Sequence, residues 1–253
     1  SETMRNAVGW LLMTFDPNVL QTLRHAAVDL ATNSETTALA RRLGARRVEL
    51  FLDSGLPESF FPPAFPEREP GPVLRLLWLG RLFPRKGLRL ALEALAQVDP
   101  RVPFHLTIIG NGPLAAQLEG WIAECGLQGR VTWRGALPWA EVRSAFLSHD
   151  AFLFGSLRDS FASQFLEAMA TGLPILTLDH QGAHDFIPDA AGIKVPVTTP
   201  AATAAALARA VEYCHSHPQA RRDMGRAGYE FALTQTWTAR SHRLLHLVQP
   251  LLS

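Results

Sequence analysis

Three scarcities in the sequence each remove a class of function. There are 2 cysteines, Cys125 and Cys214, with no Cys-x-x-Cys pair and no ligating cluster around either. That excludes a disulfide framework and a cysteine-based zinc site, and it fits reduced thiols in a cytoplasmic protein. Excess charge is lacking too: Lys+Arg number 24 against Asp+Glu 23, a net charge of +1. Folded nucleic-acid binders carry a clear basic excess, so no nucleic-acid partner is expected. Long hydrophobic runs are missing. The segment Ala7–Met13 falls far short of the roughly 18 residues of a membrane span, and it lacks the basic flank and cleavage site of a signal peptide. The expected location is cytoplasmic, with peripheral membrane attachment left open for a full-length protein. Lysine is nearly absent, Lys86 and Lys194 standing alone among many arginines.

What remains is ordinary globular material: 253 residues, 47% hydrophobic and 19% charged, enough for one large α/β domain or two small ones. From Val73 onward, apolar runs alternate with amphipathic stretches. The runs are Val73–Leu79, Phe104–Ile109, Val131–Trp133, Ala151–Phe154, Ile175–Leu178 and Ile193–Val197. They lack polar alternation, as strands covered on both faces do. Leu88–Val98, Leu114–Cys125, Ala140–Ser148 and Phe165–Thr171 read as the helices between them. This alternation predicts right-handed βαβ crossovers and a doubly wound parallel sheet, a Rossmann-like α/β fold. Its ligands bind beyond the carboxyl ends of the strands.

The first 65 residues hold one or two βα units, too few to close a sheet. We read a helix over Pro17–Ala27, a strand over Val28–Thr32 and another over Arg47–Leu52. Thr32 and Glu35, at capping-box spacing, open a helix between these strands that Gly44 closes. Residues 53–72, with Pro57, Pro62, Pro63, Pro66, Pro70 and Pro72, form a stiff linker by composition, with Phe60, Phe61 and Phe65 packing on the domain. Ala201–Ser216, Ala220–Leu233 and Trp237–Leu252 read as closing helices.

Three motifs follow strands. Gly80-Arg81-Leu82-Phe83-Pro84-Arg85-Lys86-Gly87 places three cations at a strand end beside a helix N-terminus, which suits a phosphate. Its plain alternative is a solvated basic turn; the spacing is neither a Walker A loop nor Gly-x-Gly-x-x-Gly. Gly110-Asn111-Gly112-Pro113 is a tight strand-to-helix loop that can be purely structural. The third, Gly155–Pro174, has small polar residues and then a helix starting near Phe161. Its free N–H groups face the cleft. Asp159 reads either as a helix N-cap or as an acceptor for sugar hydroxyls. Glu167 reads either as an exposed helix residue or, beside Ala168-Met169-Ala170, as a buried carboxylate that needs a partner.

In this order and at these separations, the segments resemble the C-terminal domain of GT-B glycosyltransferases of the retaining family 4, or group 1. That family shows Gly-Arg-Leu ending in Lys-Gly, then Gly-x-Gly-Pro, Val-x-Phe-x-Gly, and Ser with a Glu before Glu-Ala-Met-Ala-x-Gly-x-Pro. Here they are Gly80–Leu82 with Lys86-Gly87, Gly110–Pro113, Val131–Gly135, and Ser156 with Asp159 and Glu167–Pro174. The family's Gly-Gly-x-x-Glu appears as Gln181-Gly182-Ala183-His184-Asp185, and Thr236-Trp237 echoes its last signature.

The resemblance implies a hexosyltransferase using a UDP-, GDP- or ADP-sugar, without a metal, on a glycan, lipid or small-molecule acceptor. Arg81 and Lys86 would clamp the diphosphate, Glu167 the ribose, and Asp159 the transferred sugar, making Arg81, Lys86 and Asp159 the catalytic set. Gly80 would permit close approach of the backbone. N–H groups of Phe161, Ala162 and Ser163 would face sugar and phosphate, and Gly110, Arg134 and Gly135 would border the base. It also implies an organisation: residues 1–65 as a remnant of the acceptor domain plus linker, 66–235 as the donor domain, and 236–253 as a helix crossing back. With little of an acceptor domain, this chain alone is expected to bind donor and transfer little.

Departures concern the donor's identity: Asp159 is shorter than Glu, Ser160 and Ala162 replace glycines, and Gln181 replaces a glycine. Competing readings are a stand-alone binding module or inactive partner subunit, a GT-B epimerase, and an NAD enzyme, for which the Gly-x-Gly-x-x-Gly turn is missing. Asp179, His180, His184 and Asp185 offer a metal cluster, but the family needs none. Arg41-Arg42, Arg46-Arg47 and Arg221-Arg222 read as solvated helix faces.

Overall fold

A computed structural model describes residues 16–251. The segment Ala7–Met13 and the last residue of the expected closing helix lie outside that range. The described residues fall into two compact units, one up to Asp53 with those from Arg240 onward, the other Ser54–Ala239.

The small unit contains α1 (Pro17–His25), β1 (Asp29–Ala31), α2 (Ser34–Arg42) and β2 (Val48–Leu50). Strands β1 and β2 pair in parallel, Leu30 opposite Glu49, with α2 as their crossover. Ala31, Ala40 and Val48 form its core with Leu23 and Ala45. The cap of α2 differs from the sequence reading. Asn33, not Thr32, is the N-cap; its Oδ1 accepts the Thr36 N–H at 2.7 Å. Asn33 is the last extended residue, so its side chain is the one that reaches the free N–H groups.

In the large unit the predicted strands and helices form, with ends shifted by a residue or a few. They are β3 (Leu74–Leu79), α3 (Leu88–Leu95), β4 (Phe104–Ile109), α4 (Leu118–Glu124), β5 (Val131–Trp133), α5 (Trp139–Ser148), β6 (Ala151–Phe154), α6 (Ser163–Ala170), β7 (Ile175–Asp179), α7 (Gln181–Phe186), β8 (Gly192–Pro196), α8 (Pro200–Ser216) and α9 (Pro218–Leu233). Helix α10 (Trp237–Val248) follows. The short helix α7 has no counterpart among the expected elements, because six residues carry too little periodicity to show. Helix α6 begins at Ser163 rather than near Phe161, because Phe161 and Ala162 are buried and Ala162 is extended.

The six-stranded sheet is parallel throughout, in the order β5-β4-β3-β6-β7-β8. The chain enters at β3, steps outward to β5, returns to β6 and steps outward the other way. Right-handed crossovers in opposite directions put helices on opposite faces. Accordingly α3 packs on α4 and α8, while α6 packs on α5 and α9. Between β3 and β6 the winding reverses, leaving a crevice beyond their carboxyl ends. The core beneath it is aromatic: Trp78, Phe146, Phe152, Phe154 and Phe165 are fully buried. Phe154 meets Phe165 edge-on at 5.4 Å.

Cations fasten the amino ends of the strands. Arg75 donates its backbone N–H and Nε to Asp150 Oδ2, and Nη2 to Oδ1, at 2.8–2.9 Å. Burial pushes the Asp150 carboxyl up, but the Arg75 hydrogen bonds and charge bring it below the usual carboxylate range. The Pro-rich segment is anchored rather than loose. Phe61 and Phe65 pack edge-on against Tyr229. Arg68 donates to the carbonyls of Phe146, Thr171 and Gly172, where α5 and α6 end. A cation there suits the negative ends of two helices, and burial lowers its pKa to about 10. Arg68→Met should therefore cost about 2–4 kcal/mol, because three carbonyls lose a charged donor. Urea denaturation measures it, and a cost below about 0.5 kcal/mol would contradict the anchoring role.

Candidate functional site

The loops after β3, β4 and β6 lie backbone to backbone at the crevice. Gly87 has φ +65°, and a Cβ on it would sit 1.7 Å from the Gly155 oxygen. Gly110 has φ +135°, and its Cβ would sit 1.9 Å from the Gly80 oxygen. No side chain fits at either place. The Leu157 N–H donates to the Arg85 carbonyl at 2.8 Å, and Ser156 Oγ lies 3.2 Å from the same oxygen.

This packing brings Lys86 to Asp159. The ammonium lies 2.5 Å from Asp159 Oδ2, is only 7% exposed, and sits 5.4 Å from the Phe154 ring centroid. Ser156 Oγ donates to the same carboxylate oxygen at 2.8 Å, and Arg85 approaches Oδ1 at 3.4 Å. Asp159 is thus no helix cap; Ala162 holds that place without a side-chain bond. The Asp159 N–H donates to Gln181 Oε1 at 2.9 Å.

Other groups lack partners. Arg81 is exposed, stacked over the Phe83 ring at 4.6 Å, and no acceptor among the described residues takes its guanidinium. Among the described residues, none accepts the N–H of Phe161, Ala162 or Ser163. Glu167 is 8% exposed, with no hydrogen bond or ion pair to its carboxyl among the described residues. Burial alone pushes its pKa up to about 7. A buried, partnerless carboxyl is costly unless a ligand satisfies it.

Further along the sheet edge, the Gly110 N–H donates to the Gly135 carbonyl at 2.8 Å, and Trp133 Nε1 to the Gly110 carbonyl at 2.9 Å. Arg134 reaches Glu141 at 3.4 Å. The structure therefore gathers Gly80, Arg81, Lys86, Asp159 and Phe161–Ser163 at the β3/β6 crevice, with Gly110, Arg134 and Gly135 beside them toward β5. The acid–histidine group after β7 resolves into a pair, His184 Nδ1 and Asp179 Oδ1 at 2.7 Å. Among the described residues no three His, Cys, Asp or Glu side chains gather as metal ligands. Lys194 holds the Ile187 carbonyl at 2.9 Å and Asp189 at 2.7 Å, a structural task. Sequence reasoning missed the roles of Ser156 and Gln181. Neither has a local pattern; the only hint was Gln181 standing where the family has glycine.

Glu167 should also be visible in stability. Its folded pKa of about 7 exceeds the ordinary carboxyl value of 4.5, so the folded state binds this proton more tightly. The stabilisation is complete below about pH 4.5 and is lost as pH rises through about 7, on the order of 3 kcal/mol in all. Glu167→Gln should remove that fall, making the variant more stable than the parent at pH 8 but not at pH 4. Urea denaturation across this range checks it, and parallel pH profiles for both proteins would refute it.

Comparisons with known proteins bear on the family and the fold. Residues 64–231 match the family model described as glycosyl transferases group 1. The chain is 30% identical over 177 residues to the 2-deoxystreptamine glucosyltransferase of Streptomyces kanamyceticus, covering 65% of this chain and 45% of that protein. It is 27% identical over 207 residues to the putative colanic acid biosynthesis glycosyltransferase WcaL of Escherichia coli K12, covering 78% and 51%. The chain thus spans about half the length of these curated relatives. Among solved structures, sucrose-phosphate synthase of Thermosynechococcus elongatus superposes with a TM-score of 0.75 at 24% identity, over 94% of this chain and 62% of that one. HepE of Anabaena in complex with UDP-glucose superposes with a TM-score of 0.72 at 17% identity, over 93% and 68%. At these identities the superpositions speak for the GT-B fold alone. With the family model matching most of its length, and the motif loops meeting at the sheet's switch point, the chain belongs to the group 1 glycosyltransferases.

Proposed function

We propose that the large unit binds the nucleotide-sugar donor of a retaining hexosyl transfer. The observation that carries this reading is Glu167, a buried carboxyl without a partner among the described residues, on the helix α6 that follows the Asp159 loop. Two adjacent ribose hydroxyls can donate to one carboxylate and supply the missing bonds. Arg81, unpaired and exposed, takes the diphosphate first. Lys86 joins it by exchange: the sugar hydroxyls engage Asp159, and the phosphate replaces Asp159 at the ammonium. The free N–H groups of Phe161, Ala162 and Ser163 face the same anion. As the bond from the anomeric carbon to the diphosphate oxygen breaks, negative charge collects on the leaving phosphate. Arg81, Lys86 and these amides stabilise that charge, the electrostatic task that a metal performs in other transferases. Gly110, Arg134 and Gly135 border the base.

The HepE structure contains UDP-glucose, so a UDP-sugar is the first donor we assign, ahead of GDP- and ADP-sugars. The acceptor, whether glycan, lipid or small molecule, is assigned to no described residue, and transfer is proposed for the whole protein rather than for this unit by itself.

Calorimetric titration with UDP, GDP and ADP tests the reading. One nucleotide should bind saturably, with Arg81→Ala and Glu167→Gln each weakening it about tenfold, or about 1.4 kcal/mol. Affinity should rise with pH through about 7, because hydroxyl donors need the ionised Glu167. Absence of saturable binding by all three, or unchanged affinity in both variants, would remove this function.

A further inference from the structure

Gln181 is the one non-glycine residue with positive φ among the described residues, at +47°. It stands where the resembled family has glycine. A side chain in this region crowds the backbone, so its persistence requires compensation. The compensation is visible. Gln181 Oε1 accepts the Asp159 N–H at 2.9 Å, and the Gly182 N–H reaches the Asp159 carbonyl at 3.4 Å. The two loops touch closely: a Cβ on Gly182 would sit 1.4 Å from the Ser160 oxygen. Below them, Phe161 and Phe186 meet edge-on at 5.6 Å. The start of α7 is thus clamped to the loop carrying Asp159, and Gln181 supplies the side-chain half of the clamp.

We propose that Gln181 is a positioning residue for the donor site, its strained backbone holding an amide oxygen on Asp159 so that the shorter carboxylate, paired with Lys86 in the free protein, meets the donor sugar. An Asp in place of Glu has less reach, so its backbone must be placed more strictly. With Gln181 in place, the Asp159 backbone is pinned on its N–H side by the amide and on its carbonyl side by Gly182. The carboxylate is then fixed between Lys86 Nζ and Ser156 Oγ. The consequence for ligand rests on the donor reading above. The pinning itself does not.

Three variants of the full chain separate this role from a merely structural one. Gln181→Gly relieves the strain and removes the acceptor. Gln181→Met keeps the side-chain bulk and removes the acceptor. Gln181→Glu keeps the acceptor. Hydrogen exchange followed by NMR should show the Asp159 amide losing protection at least about fivefold in Gln181→Gly and Gln181→Met, and keeping it in Gln181→Glu. Gln181→Gly should nevertheless melt roughly 2–4 °C higher than the parent. UDP-glucose affinity should fall about fivefold in both the Gly and Met variants, with UDP affinity changing less, because Asp159 faces the sugar. Unchanged protection of the Asp159 amide in Gln181→Met would overturn the proposal, as would UDP-glucose affinity that rises with melting temperature in Gln181→Gly. If the parent binds neither UDP-glucose nor UDP, the donor reading fails by itself, and the exchange of the Asp159 amide still decides whether Gln181 pins this loop.

Discussion

At the centre of the large unit two backbone segments meet with no side chain between them. Gly87 ends the basic loop after β3, Gly155 begins the loop after β6, and a methyl group on Gly87 would lie inside the Gly155 carbonyl. Everything at the crevice depends on this approach. It lets the Leu157 N–H bond the Arg85 carbonyl with Ser156 beside it, and that in turn sets Lys86 against Asp159. A parallel sheet whose winding reverses supplies the place. Between β3 and β6 no crossover helix covers the strand ends, so the loops can close on each other and still leave a cleft.

The groups at this cleft divide by whether they are satisfied. Lys86 and Asp159 neutralise each other in a site with little exposure, which removes most of the cost of burying either. Glu167 has no such neighbour, and its pKa is raised because the ionised form has nothing to replace water. Arg81 keeps its guanidinium in solvent, where an unpaired charge costs little. A ligand carrying both an anion and hydroxyl donors would satisfy Arg81 and Glu167 together, and a diphosphate joined to ribose has that composition. Gln181 adds a local cost of its own, a positive φ, in a loop that contacts the satisfied pair.

Two arginines fasten the other end of the strands. Arg75 and Asp150 tie β3 to the start of β6, and Arg68 ties the Pro-rich segment to the ends of α5 and α6. Each of these cations meets several acceptors, although Arg68 Nε is left without one, whereas Arg81 meets none among the described residues. The same residue type serves rigidity at one end and, in the proposed reading, recognition at the other. What differs is whether carbonyls and carboxylates of the fold already surround it.

The sheet was legible in the sequence because buried parallel strands leave unbroken apolar runs, and all six runs became strands within a residue or two of the reading. The basic loop, the glycine pairs and Glu167 beside Ala168-Met169-Ala170 were legible for a similar reason: each depends on residue type over a short span. Helix ends were less so. The start of α6 moved from Phe161 to Ser163 because burial of Phe161 and Ala162, a tertiary event, goes with an extended Ala162. The partnership of Lys86 with Asp159, the missing partner of Glu167 and the strained hold of Gln181 on Asp159 had no local signature. Each joins residues on different crossovers, or records the absence of a neighbour. By itself the sequence determined which segments are strands, where the chain turns, and which charged side chains stand at strand ends, because these follow from local pattern and backbone sterics. Only the tertiary structure decided which of those charges neutralise each other and which remain for a ligand, because that depends on distances set by sheet order and by the close approach of glycine backbones.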